Sequence, residues 1–386
     1  MDFKGKLRFN RHELAGAFGD IGTDLPLIAS ILLATKLDAA GVFLAFGLAQ
    51  IASGLLYGLP MPVQPLKAMA VVVIAGQATG GLLQLAGLMI GVLMLILTYS
   101  GLLDRLQRVI PVLVVRGIQA GLGLALARTA LGLAGREGPW GWVAAAAAVA
   151  LLVWLRGHQK IPGALLVVGA GVVWAAVYRL NWPALTHGFG WVTPTPAKLP
   201  WDQWLAALTL LVLPQVPLSL SNSVIATQRT VADLFPQQTV SLRGIGRTYS
   251  LMNLVSPWLG GIPMCHGCGG LAGYYALGAR TGGSVVIYGS FYLIVGTLFS
   301  GVFQEVLRAF PAPVLGAVLF VEAGVLVLLM RDVVQSRAAF ALAVAVALVC
   351  VFAPQGYLSG MLVGCALYYL LHRWKPNLTF APAHAR

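Results

Sequence analysis

The sequence predicts an all-α membrane protein with fourteen transmembrane spans in two inverted repeats of seven, spans 3 and 10 being discontinuous. Three observations carry that expectation. Of the 386 residues 59% are hydrophobic and only 10% charged, with a mean hydropathy of +0.84, whereas soluble domains carry about 25% charged residues. A motif occurs twice inside membrane-length apolar stretches, as Gly58-Leu59-Pro60-Met61-Pro62-Val63-Gln64-Pro65-Leu66-Lys67-Ala68 and as Gly261-Ile262-Pro263-Met264-Cys265-His266-Gly267-Cys268-Gly269-Gly270-Leu271-Ala272. Both copies put backbone breakers and polar side chains at bilayer depth and run straight into an apolar helix, so each reads as an irregular segment followed by a half-helix. The longest connector, the Trp- and Pro-rich stretch from Trp182 to Trp201, falls at the midpoint.

The spans follow from apolar runs of about 20 residues. The first seven are roughly 14–35, 41–58, 62–79, 83–103, 109–131, 139–155 and 160–180; the second seven are roughly 203–228, 244–258, 264–280, 284–303, 307–330, 336–353 and 355–372. The chain therefore divides into a seven-span repeat at 1–181, a connector at 182–202 and a second repeat at 203–386. Seven is odd, so the second repeat enters the membrane with opposite polarity to the first. The doubled motif lands in spans 3 and 10, which are matching positions. A weaker echo pairs Asp24-Leu25-Pro26-Leu27 in span 1 with Gln215-Val216-Pro217-Leu218 in span 8.

Charge sets the orientation. The first twelve residues are basic and lack a small-residue cleavage site, so they read as a cytoplasmic tail. With both termini inside, 17 of the 25 Lys and Arg are cytoplasmic, among them Lys4, Lys6, Arg105, Arg156, Lys160, Arg229, Lys375 and Arg386. Lys36, Arg128, Arg136, Arg179, Lys198 and Arg308 are outside, and only Lys67 and Arg116 lie within spans. The net charge of +13 is scattered through loops, so it reports topology and not a nucleic-acid footprint.

Other classes are disfavoured in turn. The four cysteines, 265, 268, 350 and 365, sit in apolar or motif segments, against a secreted-type disulfide framework. Cys265-His266-Gly267-Cys268 has CxxC spacing, but the region supplies no further zinc ligands, and neither metal nor cofactor is expected. No Gly-x-x-x-x-Gly-Lys-Ser/Thr motif is present, so ATP-driven pumping by this chain is excluded. An enzyme needs a convergent acid, base or metal cluster and a channel needs a continuous polar stripe; the sequence displays neither.

What remains is a set of polar residues at bilayer depth. Half-helix N-termini offer unpaired N–H donors and about half a positive charge each, so two aimed at one point favour an anion. Gln64 can donate its amide to an oxyanion, while Lys67 either adds a point charge there or neutralises Asp24 or Asp20. Gly267, Gly269 and Gly270 let backbone N–H groups approach a ligand, and the small Cys268 fills the gap. His266 is a neutral donor, a proton carrier or a packed polar residue, and the sequence does not rank these. In span 8 Pro214 and Pro217 interrupt the helix, and Gln215, Ser219, Ser221 and Asn222 form a polar patch. Of these, Gln215 and Asn222 are costlier to bury and are assigned to the pocket. Asp20 and Asp24 share a helix face in span 1. As a structural pair they are held by Lys67, Arg116 or the N–H groups of the neighbouring break; as a functional pair one of them binds a proton, because a carboxylate beside an anion repels it unless protonated. Asp24 is the deeper of the two. Arg116 is expected to snorkel to the cytoplasmic face.

The segments Gly16-Ala17-Phe18-Gly19-Asp20-Ile21-Gly22-Thr23-Asp24-Leu25-Pro26-Leu27, Pro60 to Ala68 and Pro263 to Gly273 closely resemble signature stretches of the molybdate transporter family, a branch related to the sulfate permeases. The resemblance extends to Pro214-Gln215-Val216-Pro217-Leu218 with Asn222 and to Gly278-Ala279-Arg280-Thr281-Gly282-Gly283, and so covers nearly the whole chain. It implies the seven-plus-seven fold shared with uracil permease, with a core domain of spans 1–4 and 8–11 and a gate domain of spans 5–7 and 12–14. It also implies no C-terminal regulatory domain of the sulfate-permease kind.

The substrate-binding set is then Thr23 in span 1; Gln64, Pro65, Leu66 and Lys67 in span 3; Gln215 and Asn222 in span 8; and His266, Gly267, Cys268, Gly269 and Gly270 in span 10. Asp24 and Asp20 form the proton-coupling set. The expected activity is secondary transport of molybdate by alternating access, with protons as coupling ion, in a bacterial inner membrane and with a homodimer as one assembly. An inside-negative potential opposes a dianion by about 2.3 kcal/mol per charge per 100 mV, so accumulation needs at least two cations or an exchanged anion. A sulfate or general tetrahedral oxyanion permease is the alternative, and tungstate shares the same shape and charge. A nucleobase permease of this architecture places acids in spans 8 and 10, where this chain has none.

Overall fold

The computed structural model describes residues 7–155, 163–180, 182–334, 336–353 and 356–374. The orientation assignments at Lys4, Lys6, Arg156, Lys160, Lys375 and Arg386 lie outside the described residues, as do the side chains of Thr23 and Ser221. By length and apolarity alone, five helices among the described residues can cross a bilayer, or six if the bent pair Gly283–Leu298 and Ser300–Ala309 is one span. Several other helices are short, among them Arg337–Phe352 and the two half-helices, Lys67–Ile74 and Cys268–Ala276.

Three expectations about the spans are corrected. Leu102–Val109 is a separate short amphipathic helix, set off from Gly80–Tyr99 by Gly101 in a left-handed conformation (φ 70), and not the end of span 4. Gly283–Leu298 turns by 91° at Phe299 into Ser300–Ala309, so span 11 ends before residue 303 and span 12 starts at Ala312. Pro214 and Pro217 do not interrupt span 8. The helix continues from Trp201 to Leu234, with π-helical turns at Ala207–Val212 and Ser219–Ala226 bracketing Leu213–Leu218. The wider i→i+5 turns accommodate prolines that lack an N–H.

Packing pairs elements from the two halves. Ala39–Tyr57 lies on Gly283–Leu298, Gly80–Tyr99 on Leu242–Val255, and Val112–Ala134 on Ala312–Leu328. Arg337–Phe352 packs on Val112–Ala134, and Gly138–Leu155 on Ala312–Leu328. In span numbers these are 2 on 11, 4 on 9, 5 on 12, 13 on 5 and 6 on 12, a set that maps onto itself when each span is exchanged with its counterpart seven positions away. Small residues permit the closest approaches: a Cβ at Gly47 would lie 2.8 Å from the Gly289 carbonyl oxygen.

The two breaks are held in the same way. Gly58 (φ 64) and Gly260 (φ 73) end the preceding helices in the left-handed region. From the first preceding helix, Gln50 Nε2 donates to the Val63 carbonyl at 3.1 Å and Ser53 Oγ to that of Met61 at 2.9 Å. From the second, Asn253 Nδ2 donates to the Met264 carbonyl at 2.6 Å and Ser256 Oγ to that of Ile262 at 2.8 Å. The breaks then meet as the sheet found among the described residues, β1 (Gln64–Pro65) antiparallel to β2 (Met264–Cys265), with Gln64 opposite Cys265 and Pro65 opposite Met264. The connector is pinned across helix ends, Val192 N–H donating to Thr297 at 3.0 Å and Ala197 N–H to Pro257 at 2.9 Å.

Candidate functional site

Crossing β1 over β2 brings the N-termini of the two half-helices to one place at the centre of the fold. Their donors are not equally available. Leu66 N–H is taken by the Pro263 carbonyl at 3.2 Å, and Gln215 Oε1 accepts from Ala68 N–H at 3.0 Å and Met69 N–H at 3.3 Å. Gln215 Nε2 continues to Ser219 Oγ at 3.2 Å, which meets Tyr249 Oη at 2.7 Å. The first half-helix is thus capped from span 8. On the second half-helix the N–H groups of Cys268 and Gly269 turn toward the Cys268 thiol, and among the described residues no oxygen acceptor from another element caps this turn.

Around that uncapped turn the glycines divide by what they face. A Cβ on Gly267 would overlap Gln64 Oε1, and one on Gly270 would overlap Asp20 Oδ2, with Gln64 Nε2 at 2.8 Å. A Cβ on Gly269 would meet nothing within 4 Å. The Gln64 amide therefore lies along the turn between Gly267 and Gly270, and Gly269 looks into open space. Asp20 reaches this position because Gly19 abuts Gly273, where a Cβ would stand 2.6 Å from the Gly273 carbonyl oxygen. Gln64 Nε2 donates to Asp20 Oδ2 at 2.6 Å. Asp20 is buried.

Asp24 is wholly buried, and the Asp20 carboxyl is the polar side chain that its own carboxyl meets among the described residues. Lys67 forms an ion pair at 3.7 Å with Glu322, on the facing helix Ala312–Leu328. Sequence reasoning overlooked Glu322, although the one acid in the 17-residue apolar helix Ala312–Leu328 is itself the signal. Arg116 pairs with Asp332 and donates to Gln119 Oε1 at 3.0 Å.

His266 is fully buried and ties the breaks together, Nδ1 meeting the Pro62 carbonyl at 2.9 Å and Nε2 meeting Thr248 Oγ1 at 2.7 Å. Cys268 Sγ donates to Asn222 Oδ1 at 3.2 Å. Asn222 also lines a cavity of about 220 Å³ that reaches Arg116, Gln119 and Arg229, between span 8 and the helix Val112–Ala134. Gln64, Lys67, Gln215, Asn222, His266, Gly267, Cys268, Gly269 and Gly270 thus come together. Pro65 and Leu66 are buried in and beside β1. Thr23 stands in the same helix as Asp24.

Known proteins share this sequence and this fold. A family described as molybdate transporter of MFS superfamily matches residues 12–126 and 207–326. Molybdate transporter 1 of Arabidopsis thaliana is 32% identical over 97% of this chain and 90% of its own length. Molybdate transporter 1 of Chlamydomonas reinhardtii is 28% identical over 91% and 89%. Among solved structures, SLC26A9 superposes with a TM-score of 0.69 at 15% identity, over 94% of this chain and 65% of that one. The transmembrane domain of the cyanobacterial bicarbonate transporter BicA gives 0.65 at 16% identity, over 93% and 98%. The fold is therefore that of an all-helical, multi-pass membrane transporter similar to SLC26A9 and BicA.

Proposed function

We propose that this chain, which belongs to the molybdate transporter family, carries molybdate across a membrane by secondary transport. The family is one of transporters and not of enzymes. The observation that carries the reading is the pairing of β1 with β2, which gathers two half-helix N-termini at one point, one of them uncapped and facing open space at Gly269. Backbone donors and the positive helix end suit a dianion there, with the Gln64 and Asn222 amides beside it.

The working architecture is fourteen spans in two inverted repeats, with a core of spans 1–4 and 8–11 moving against a gate of spans 5–7 and 12–14, both termini cytoplasmic. The exchange of packing partners between halves supports it, as do the matched side chains Gln50 and Ser53 beside Asn253 and Ser256. Asp24 supports proton coupling: its carboxyl is sealed from water beside that of Asp20, and two acids in contact at bilayer depth are a place for a coupling proton.

Labelled molybdate uptake into proteoliposomes, with and without an inward proton gradient, tests the function. The fold likeness to SLC26A9 and BicA favours one second reading, a permease for oxyanions in general. Competition by tungstate and sulfate against labelled molybdate separates the two.

A further inference from the structure

We infer that the Gln64 amide is a proton-operated switch, turned by Asp20, that changes the mouth of the second half-helix from hydrogen-bond acceptor to hydrogen-bond donor. The inference rests on the anion site proposed above and adds how a proton controls it. The Gln64 side chain makes one recorded hydrogen bond, from Nε2 to Asp20 Oδ2 at 2.6 Å. A carboxylate only accepts, so an ionised Asp20 fixes the amide with nitrogen toward itself and oxygen away. The oxygen then lies against Gly267, the residue that opens the uncapped turn. In this arrangement the turn is faced by two acceptors, Gln64 Oε1 at Gly267 and Asp20 Oδ2 at Gly270. Both oppose an anion.

One proton on Asp20 lets both reverse. The carboxylic acid gains an O–H donor, and the Gln64 amide meets it with its oxygen by turning half a revolution about its last side-chain bond. Nε2, with two N–H donors, then stands where Oε1 stood beside Gly267, and the negative charge at Gly270 is gone. No covalent bond other than the O–H of the acid forms or breaks. A carboxylate accepts only the amide nitrogen, whereas the acid meets either end of the amide and a bound anion selects the orientation with Nε2 toward it; proton and anion binding are therefore linked, and each strengthens the other by the same factor. The remaining titratable groups acting on Asp20 from neighbouring elements are Asp24, Lys67, Glu322, Cys265, Tyr274 and Tyr292. Of these, Lys67 is already paired with Glu322. With Asp24, this gives the two proton-binding carboxyls that a dianion requires against an inside-negative potential.

The test is molybdate affinity by calorimetry, on the full chain in detergent, from mildly alkaline to mildly acidic pH. Wild type is expected to bind more tightly as pH falls, by roughly tenfold to a hundredfold, the range of one charge-assisted hydrogen bond gained at an anion. Asp20→Asn, whose amide donates permanently to Gln64 Oε1, should hold the tight affinity at every pH. Gln64→Leu should bind weakly with most of the pH slope lost. An Asp20→Asn protein that folds with wild-type melting behaviour yet keeps the wild-type slope overturns the switch and leaves the site reading intact. Unchanged affinity in both Gln64→Leu and Gly269→Val overturns the switch and the site together.

Discussion

Lys67, the first residue of the half-helix after β1, pairs at 3.7 Å with Glu322 on the helix Ala312–Leu328. In the proposed architecture the lysine belongs to the core and the glutamate to the gate, so the pair bridges the two moving parts. The side chains are 29% and 22% exposed, between the surface and fully buried cases. Removing either partner, as in Lys67→Met or Glu322→Gln, should therefore cost about 1–3 kcal/mol of stability, read from denaturant unfolding in detergent. The reversed double variant, Lys67→Glu with Glu322→Lys, should recover stability but not molybdate binding, since it places a carboxylate at a half-helix N-terminus. Full binding by the double variant would remove Lys67 from the anion's surroundings.

Adjacent glycines should respond differently. Gly269→Ala adds a methyl to open space, so stability should hold within about 0.5 kcal/mol while molybdate affinity falls. Gly270→Ala runs into Asp20 and Gln64, and should cost about 1–3 kcal/mol in stability as well. Melting temperatures and calorimetry on the same preparations separate the two effects. Equal destabilisation by both would mean that the space beside Gly269 is filled.

The amides divide by what they hold. Gln64→Ala and Asn222→Ala should each weaken molybdate binding by about 1–3 kcal/mol, the loss of a charge-assisted hydrogen bond at a buried anion. Gln215→Ala should act on stability instead, because it leaves the N–H groups of Ala68 and Met69 without an acceptor, again at about 1–3 kcal/mol. Reversal of this pattern, with Gln215 governing affinity and Asn222 governing unfolding, would reassign the two residues.

Asp24→Asn should bind molybdate but fail to concentrate it in response to an inward proton gradient, because the carboxyl that takes and releases the proton is gone while the anion's donors remain. Vesicle uptake with and without the gradient measures this. Gradient-driven accumulation by the variant would move charge compensation to Asp20 alone or to anion exchange.

The sequence by itself established that the chain is membranous and that a motif occurs twice within interrupted apolar stretches, because composition, proline and glycine spacing and repetition are local properties that a linear chain displays. It also identified most of the residues now found around the uncapped turn. Only the tertiary structure decided that β1 crosses β2 with Gln64 opposite Cys265, that Gln215 is spent on the first half-helix, that Asp20 and not Asp24 meets Gln64, and that Glu322 answers Lys67. Each is a contact between segments separated by tens to hundreds of residues. The cost of burying a polar group is legible at its own position, but its partner is set by which helices pack together. The prolines of span 8 show the same division: their breaking tendency is intrinsic, whereas the π turns that absorb it depend on the neighbours against which the helix is held.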